Sequence, residues 1–319
     1  MRVNKTATIL WAISSLGVSA ANADVRVVTS IKPVHSLVSS VMQGVGSPTV
    51  IIEGAGSPHT YSLKPSQAKQ LQDADLVFWM GDELETFLEG PIQNIAKNAK
   101  SIKLIESHGL KKIKFREGGM FDEHDDHDDH GHDKHAKDDH DDHGHGEFDP
   151  HVWLDPINAK AIVHEIEEAL VKADPKNAKK YEANANRITG ELDQLVKELR
   201  AQLQPVQKKG FIVFHDAYQY FEQRFGVSAI GSITVSPEVM PGAKRVSVLR
   251  NKIRDLKATC VFSEPQFEPK LVTTLVEDTG ARTGVLDPLG TSLTKGPNLY
   301  FQLVREMARS MKECLSAKS

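Results

Sequence analysis

Short runs of apolar, mostly β-branched residues alternate along this chain with stretches whose apolar positions recur at helical spacing. Four runs in the first half predict strands: Val25–Thr29, Thr49–Ile52, Asp75–Met80 and Ile102–Ile105. Helices are predicted from about Pro33 and at Pro65–Asp73. Strands that are apolar on both faces are typical of parallel sheets. The alternating order therefore predicts an α/β lobe.

The same alternation returns in the second half. The predicted strands there are Phe211–Phe214, Ser228–Thr234, Thr259–Ser263 and Gly284–Leu286. The predicted helices are Ala217–Phe225, Ala243–Leu256, Pro269–Thr279 and Asn298–Cys314. We therefore expect an α/β protein of two lobes, each with a four-stranded, mostly parallel sheet. In such sheets ligands bind beyond the carboxyl ends of the strands.

A long amphipathic pattern separates the two halves. After a helix at Pro156–Val171, the stretch Lys176–Leu203 carries one narrow apolar stripe: Tyr181, Ala185, Ile188, Leu192, Leu195 and Leu199. A helix of about 28 residues is roughly 42 Å long, enough to run the height of a two-lobed molecule. The stripe predicts a rigid rod that joins the lobes, with a coiled-coil dimer seam as the alternative.

The first residues resemble an export signal. Arg2 and Lys5 precede the apolar stretch Ile9–Val18, and Ala21–Ala23 gives an A-x-A cleavage pattern. No later stretch approaches the ~20 apolar residues of a membrane span, so we expect a soluble, exported protein. The chain of 319 residues has room for two domains. The expected units are a signal peptide at 1–23, a first lobe at 24–175, a linker helix at 176–204 and a second lobe at 205–319.

An acidic, histidine-rich run interrupts the first lobe. Residues 121–147 contain ten Asp, two Glu, two Lys and eight His, a formal charge of −10 in a chain whose total is −4. The remainder is therefore only mildly basic, at +6, and we expect no nucleic-acid partner. Because this run cannot bury a core, residues 118–147 are expected to form a mobile loop. The loop either collects metal ions loosely or is a solvated spacer. Its histidines are His124, His127, His130, His132, His135, His140, His143 and His145.

Two cysteines, Cys260 and Cys314, are the only ones in the chain. In an oxidising compartment we expect them to pair, which would staple the last helix onto the second sheet. Two buried thiols are the alternative. A thiolate metal site is disfavoured because no C-x-x-C spacing occurs.

Three histidines and one carboxylate follow predicted strands. His59 lies in the loop after the second strand, His151 after the fourth, and His215 and Asp287 directly after strands of the second lobe. If the lobes face each other, these side chains converge in the cleft. Three imidazoles and a carboxylate suit Zn²⁺, whereas Mn²⁺ favours more oxygen ligands.

Each metal-bound imidazole needs an acceptor for its other ring N–H. Asp149, Asp155 and Asp216 are sequence neighbours of the histidines, and the sequence does not distinguish between them. Glu264 also follows a strand, where it is either an ion-pair partner within the lobe or such an acceptor.

Five motifs resemble those of the ZnuA-type periplasmic zinc-binding proteins of bacterial zinc ABC importers. They are GSPHTYSLKPSQ (Gly56–Gln67), DPHVWLDP (Asp149–Pro156), FHDAYQYFEQRFGV (Phe214–Val227), ATCVFSEPQF (Ala258–Phe267) and GVLDPLG (Gly284–Gly290). The resemblance covers essentially the whole mature chain. It implies a periplasmic protein that captures Zn²⁺ between its lobes and delivers it to an inner-membrane permease.

The resemblance also implies roles for individual residues. His59, His151 and His215 would be the primary ligands, with Asp287 or water as the fourth. Some zinc-binding members have Glu just before the first histidine; Pro58 stands there in this chain. A stiff linker helix with a small opening motion and a Cys260–Cys314 disulfide are implied as well. We expect a monomer.

Three other functions are compatible with the same residues. A manganese-binding member of the family would share the fold. A zinc-dependent hydrolase would also use three histidines and an open position, but no H-E-x-x-H and no obvious general base occur. A metal-storing or adhesive surface protein would depend on the acidic loop and not on His59.

Overall fold

A computed structural model describes residues 25–116, 147–234, 237, 241–255, 258–268 and 270–316. The predicted signal peptide and all eight histidines of the acidic run lie outside the described residues. The described chain forms two four-stranded parallel sheets with helices around them. The predicted fold class is therefore confirmed.

The first sheet has the strand order β2-β1-β3-β4. Its strands are β1 (Val27–Thr29), β2 (Thr49–Val50), β3 (Leu76–Trp79) and β4 (Lys100–Lys103). Its helices are α1 (Lys32–Val41), α2 (Pro65–Asp73), α3 (Thr86–Asn94) and α4 (Pro156–Ala173). Every residue of β1 and β3 is buried, as expected for central strands covered on both faces.

The second sheet has the order β6-β5-β7-β8. Its strands are β5 (Phe211–His215), β6 (Ala229–Thr234), β7 (Cys260–Ser263) and β8 (Arg282–Val285). Its helices are α6 (Gln219–Phe225), α7 (Ala243–Asp255), α8 (Lys270–Val276) and α9 (Leu299–Ser316). In both sheets the first strand of the lobe is central, so its carboxyl end lies near the middle of the cleft.

The long helix is α5 (Ala178–Leu203), 26 residues that span roughly 39 Å. All six positions of the predicted stripe are buried. The helix packs against α1 and α4 of the first lobe and α9 of the second. Because this stripe is covered within one chain, the coiled-coil alternative is wrong and the rod between the lobes is confirmed.

Two local predictions differ from the structure. The fourth strand lies at Lys100–Lys103, two residues before the predicted Ile102–Ile105, and residues 104–106 form a 3₁₀ turn. Helix α3 was not predicted, because Gly90 and Pro91 interrupt its pattern. Pro91 inside this short helix has no backbone N–H to donate to the preceding turn.

A disulfide between Cys260 in β7 and Cys314 in α9 is present, with a Cα–Cα distance of 6.1 Å. The packing around it is tight, since a Cβ on Gly284 would lie 2.5 Å from the Phe262 ring. Lys209 donates to the carbonyl of Leu315 at 2.6 Å, which caps the end of α9. The disulfide holds α9 on the sheet, as predicted from the sequence, and the Lys209 contact adds a second link that was not predicted.

Candidate metal centre

Three histidines from distant parts of the chain meet between the two sheets. His59 lies in the loop after β2, His151 starts the short turn before α4, and His215 is the last residue of β5. One ligand atom from each lies within 4.8 Å of the others. The structure thus brings together the three histidines that the strand-end argument selected. In the described part of the chain this is the single cluster of three or more potential metal ligands.

The two closest ring nitrogens have the spacing of a metal site. Nε2 of His151 and Nε2 of His215 are 3.5 Å apart. Two nitrogens that each lie ~2.0–2.1 Å from a tetrahedral Zn²⁺ are about 3.3 Å apart. The His59 ring lies 5.5 Å from the His151 ring and 5.8 Å from the His215 ring, centroid to centroid. A single ion can therefore contact all three imidazoles with little adjustment.

A carboxylate orients each of the two buried imidazoles. Nδ1 of His151 lies 2.7 Å from Oδ1 of Asp149, and Nδ1 of His215 lies 2.7 Å from Oε1 of Glu264. Because each Nδ1 donates to a carboxylate, each Nε2 faces the cleft with its lone pair. Of the residues left open by the sequence, Asp149 and Glu264 are thus the acceptors. Asp155 caps α4 by accepting from the backbone N–H of Ile157 at 2.8 Å.

Burial controls the charge of these groups. Burial, followed by the neighbouring His215, lowers the pKa of His151 well below its ordinary value, so this imidazole is neutral. Burial also lowers the pKa of His215, but Glu264 outweighs it and leaves the pKa raised. Burial raises the pKa of Asp149 to about 7. Both imidazoles must be deprotonated at Nε2 when a metal ion binds, since an imidazole binds metal only in its neutral form.

The cavity around the histidines is very small, about 10 Å³. Its walls include Pro58, Trp153, Phe267 and Pro288, which come from both lobes. Space of this size holds about one small occupant such as a water or an ion. An ester or peptide does not fit beside the imidazoles in this conformation.

The structure does not bring Asp287 into the histidine group. Its Oδ1 accepts from the backbone N–H of Leu289 at 3.1 Å and from Nε2 of Gln266 at 3.0 Å. Its Oδ2 accepts from the backbone N–H and from Oγ1 of Thr291, both at 2.5 Å. Asp287 follows a strand, and the sequence therefore predicted it near the cleft. In the structure its carboxylate instead faces the backbone of its own loop. Sequence reasoning missed Gln266, which lines the cavity, because nothing in the sequence distinguishes it.

Contacts between the lobes surround the site. Oδ2 of Asp149 accepts from Nε2 of Gln219 at 3.1 Å, and Tyr220 donates to the Asp149 carbonyl at 2.8 Å. On the opposite flank Lys32 donates to the carbonyls of Thr291 at 2.9 Å and Leu293 at 2.7 Å. These bonds hold the lobes together around the histidines.

The fold and this site define a class: two-lobed binding proteins with a metal-ligand pocket between the lobes. A family model described as zinc-uptake complex component A, periplasmic, matches residues 27–314. The chain belongs to this family of solute-binding transport proteins.

Curated relatives agree over nearly the full length. The high-affinity zinc uptake system protein ZnuA of Brucella suis is 54% identical over 305 residues, covering 91% of both chains. The protein of the same name from Yersinia pestis is 39% identical over 294 residues, covering 92% of both chains.

Solved structures share the architecture. A crystal structure of ZnuA has a TM-score of 0.75 at 26% identity and covers 92% of this chain and 100% of that one. A zinc-bound ZnuA that lacks residues 138–173 of its own numbering has a TM-score of 0.75 at 25% identity, covering 93% and 100%. Among the residues described here, no helix is long and apolar enough to cross a membrane.

Proposed function

We propose that this protein is the zinc-binding subunit of an ABC importer, which captures Zn²⁺ in the periplasm and delivers it to an inner-membrane permease. The observation that carries the proposal is the convergence of His59, His151 and His215 to within 4.8 Å. Family membership and the zinc-uptake relatives support the same conclusion. The protein acts as a binding module and not as an enzyme.

Within this proposal the imidazoles of His59, His151 and His215 are the protein ligands and water is the fourth. The Asp287 carboxylate accepts four hydrogen bonds, and it would have to break them to reach the ion. Water is therefore favoured over Asp287 as the fourth ligand. A site of three nitrogens and one water suits Zn²⁺ better than Mn²⁺, which favours oxygen ligands. This donor set argues against the manganese alternative.

The hydrolase alternative is disfavoured by the cavity. A catalytic zinc also uses three protein ligands and an open position. Such a site needs room for a substrate and a general base, and the cavity of about 10 Å³ is far too small for an ester or a peptide. The carboxylates beside the site are already bonded to the imidazoles.

The remaining parts of the proposal follow the sequence. Residues 1–23 are removed on export, and the mature monomer consists of lobes 24–175 and 205–319 joined by a helix at 176–204. Permease and ATPase subunits are its partners. The acidic loop at 118–147 is a low-affinity collector of Zn²⁺, and its local charge of −10 raises the nearby cation concentration.

The test is a zinc competition titration on the mature protein lacking residues 121–147, against a chelator of known affinity. We expect one tight site, which is lost on His59→Ala, His151→Ala or His215→Ala. The matched control is His164→Ala, because the His164 side chain is 65% exposed on α4. Equal zinc affinity in all four variants would overturn the proposal.

A further inference from the structure

Gln266 is a polar residue of the cavity wall whose contacts the zinc proposal has not used. It lies just after β7, lines the cavity and donates through Nε2 to Asp287 at 3.0 Å. Its Oε1 is buried, and among the described residues no hydrogen-bond donor reaches it. Buried acceptors are rarely left without a hydrogen bond, so we expect a donor to bind this oxygen.

Asp287 fixes the orientation of the Gln266 amide. All the groups around the Asp287 carboxylate are donors, from Leu289, Thr291 and Gln266. Since a carboxylate only accepts, the amide nitrogen of Gln266 must point toward Asp287. The amide oxygen therefore points away from Asp287, and it cannot exchange places with the nitrogen without placing two oxygens together.

A second buried oxygen near the site is different. Among the described residues Oε2 of Glu264 also has no hydrogen-bond donor, but the Tyr218 hydroxyl lies beside this carboxylate, and Oε1 of Glu264 is bonded to His215. Glu264 is thus occupied with orienting its imidazole. Among the described residues, Gln266 alone combines a fixed orientation, a place in the cavity wall and a buried acceptor with no partner.

We propose that Oε1 of Gln266 accepts a hydrogen bond from the water that is the fourth ligand of the bound ion, and that Asp287 is a positioning residue acting through Gln266. This inference rests on the proposed zinc-binding function. A water on a divalent ion is a strong donor, and a neutral amide accepts from it without adding charge. Asp287 then contributes to metal binding without touching the metal.

The test compares Gln266→Leu with the parent protein lacking residues 121–147. Zinc affinity is measured by chelator competition, and the visible absorption of the Co²⁺-loaded protein reports the ligand set. Loss of an outer hydrogen-bond partner weakens metal binding about 10- to 100-fold, so we expect a loss of this size and a shifted Co²⁺ band.

The role of Asp287 is tested by a double-mutant cycle with Asp287→Asn. If Asp287 acts through Gln266, Asp287→Asn weakens zinc binding in the parent but not in Gln266→Leu. The exposed Gln72 on α2 provides a matched control, as Gln72→Leu should leave affinity and spectrum unchanged. Thermal unfolding of each metal-free variant confirms that it folds.

The outcomes separate the two proposals. A parent protein without a tight zinc site defeats the proposed function itself. Tight parental binding that Gln266→Leu alters less than twofold, with an unchanged Co²⁺ spectrum, overturns the role of Gln266. Additive losses in the cycle, with Asp287→Asn the larger, would instead make Asp287 a ligand and overturn the positioning role.

Discussion

Asp149 of the first lobe and Gln219 of the second are joined by a hydrogen bond of 3.1 Å across the cleft. The other oxygen of the same carboxylate holds Nδ1 of His151 at 2.7 Å. The orientation of a candidate ligand in one lobe therefore depends on a side chain of the other. Separation of the lobes breaks this support at the same time as it moves His215 away from His151.

We predict that Asp149→Asn lowers zinc affinity about 10- to 100-fold, because an amide can present a donor to Nδ1 and no longer selects the tautomer with a free Nε2. Chelator competition at neutral pH measures the change. Stability of the metal-free protein should not fall comparably, since burial already raises the pKa of Asp149 to about 7 and disfavours its charge. Undiminished zinc affinity in Asp149→Asn would contradict the orienting role.

A second prediction concerns Arg224, which forms a bidentate pair with Asp155 at 2.6 and 2.7 Å between α6 and the start of α4. The Asp155 side chain is only 4% exposed. Arg224→Met leaves this carboxylate without its cation, and we expect a loss of about 1–3 kcal/mol in the free energy of unfolding. Denaturant unfolding of the metal-free protein measures it.

The matched control for that experiment is Arg187→Met. Arg187 pairs with Glu191 at 2.9 Å on the exposed face of α5, with side chains 42% and 46% exposed. Exposed helical pairs contribute about 0.3–0.5 kcal/mol. Equal losses in the two variants would show that the contact between the lobes adds nothing beyond an ordinary surface pair.

The disulfide gives a third prediction. Cys260 and Cys314 are 54 residues apart, and closing a loop of this length restricts the unfolded chain by about 4 kcal/mol in the chain-entropy model. We expect Cys260→Ala/Cys314→Ala to lose about 2–4 kcal/mol of unfolding free energy. Reduced parent protein serves as the control and should unfold like the double variant. A double variant as stable as the oxidised parent would refute the prediction.

A buried acid in the first lobe makes stability depend on pH. Glu85 is fully buried and accepts from the backbone N–H groups of Met80 at 2.7 Å and Gly81 at 3.1 Å. Burial raises its pKa from 4.5 to about 7. Between these pH values the folded protein keeps a proton that the unfolded chain releases. The contribution to stability is thus complete below pH 4.5 and is lost as the pH rises toward 7.

Glu85→Gln removes this dependence while keeping an acceptor for the two N–H groups. We predict that the parent loses about 3 kcal/mol more unfolding free energy than Glu85→Gln between these pH values. Denaturant titrations of both metal-free proteins across the interval measure the difference. Comparison of the two cancels the buried carboxyl groups that they share, such as Asp216 and Glu222. Parallel pH profiles would contradict the raised pKa.

Apolar patterning was sufficient to predict the two sheets and the joining helix, because strands buried on both faces and a stripe stepping by three and four leave few alternatives. The rule that ligands follow strand ends selected His59, His151 and His215. The same rule selected Asp287, and there it was insufficient. Whether a side chain at a strand end faces the cleft or its own loop depends on local donors such as the Thr291 amide, which no periodicity encodes.

The carboxylates that orient the two imidazoles could not be predicted from the sequence alone either. Asp149 lies two residues from His151, whereas Glu264 lies 49 residues from His215. The second pairing exists because β5 and β7 are neighbours in the sheet, which sets both side chains at the same edge. Such pairs require the strand order, and the strand order is a property of the folded chain.

The narrowness of the pocket has a consequence for selectivity. With about 10 Å³ around the three imidazoles, we expect a bound ion to keep at most about one of its water ligands. Mg²⁺ sheds water reluctantly and Ca²⁺ needs six to eight oxygen ligands, so we expect the site to bind both ions weakly. The small pocket therefore favours cations that lose water readily and accept nitrogen ligands.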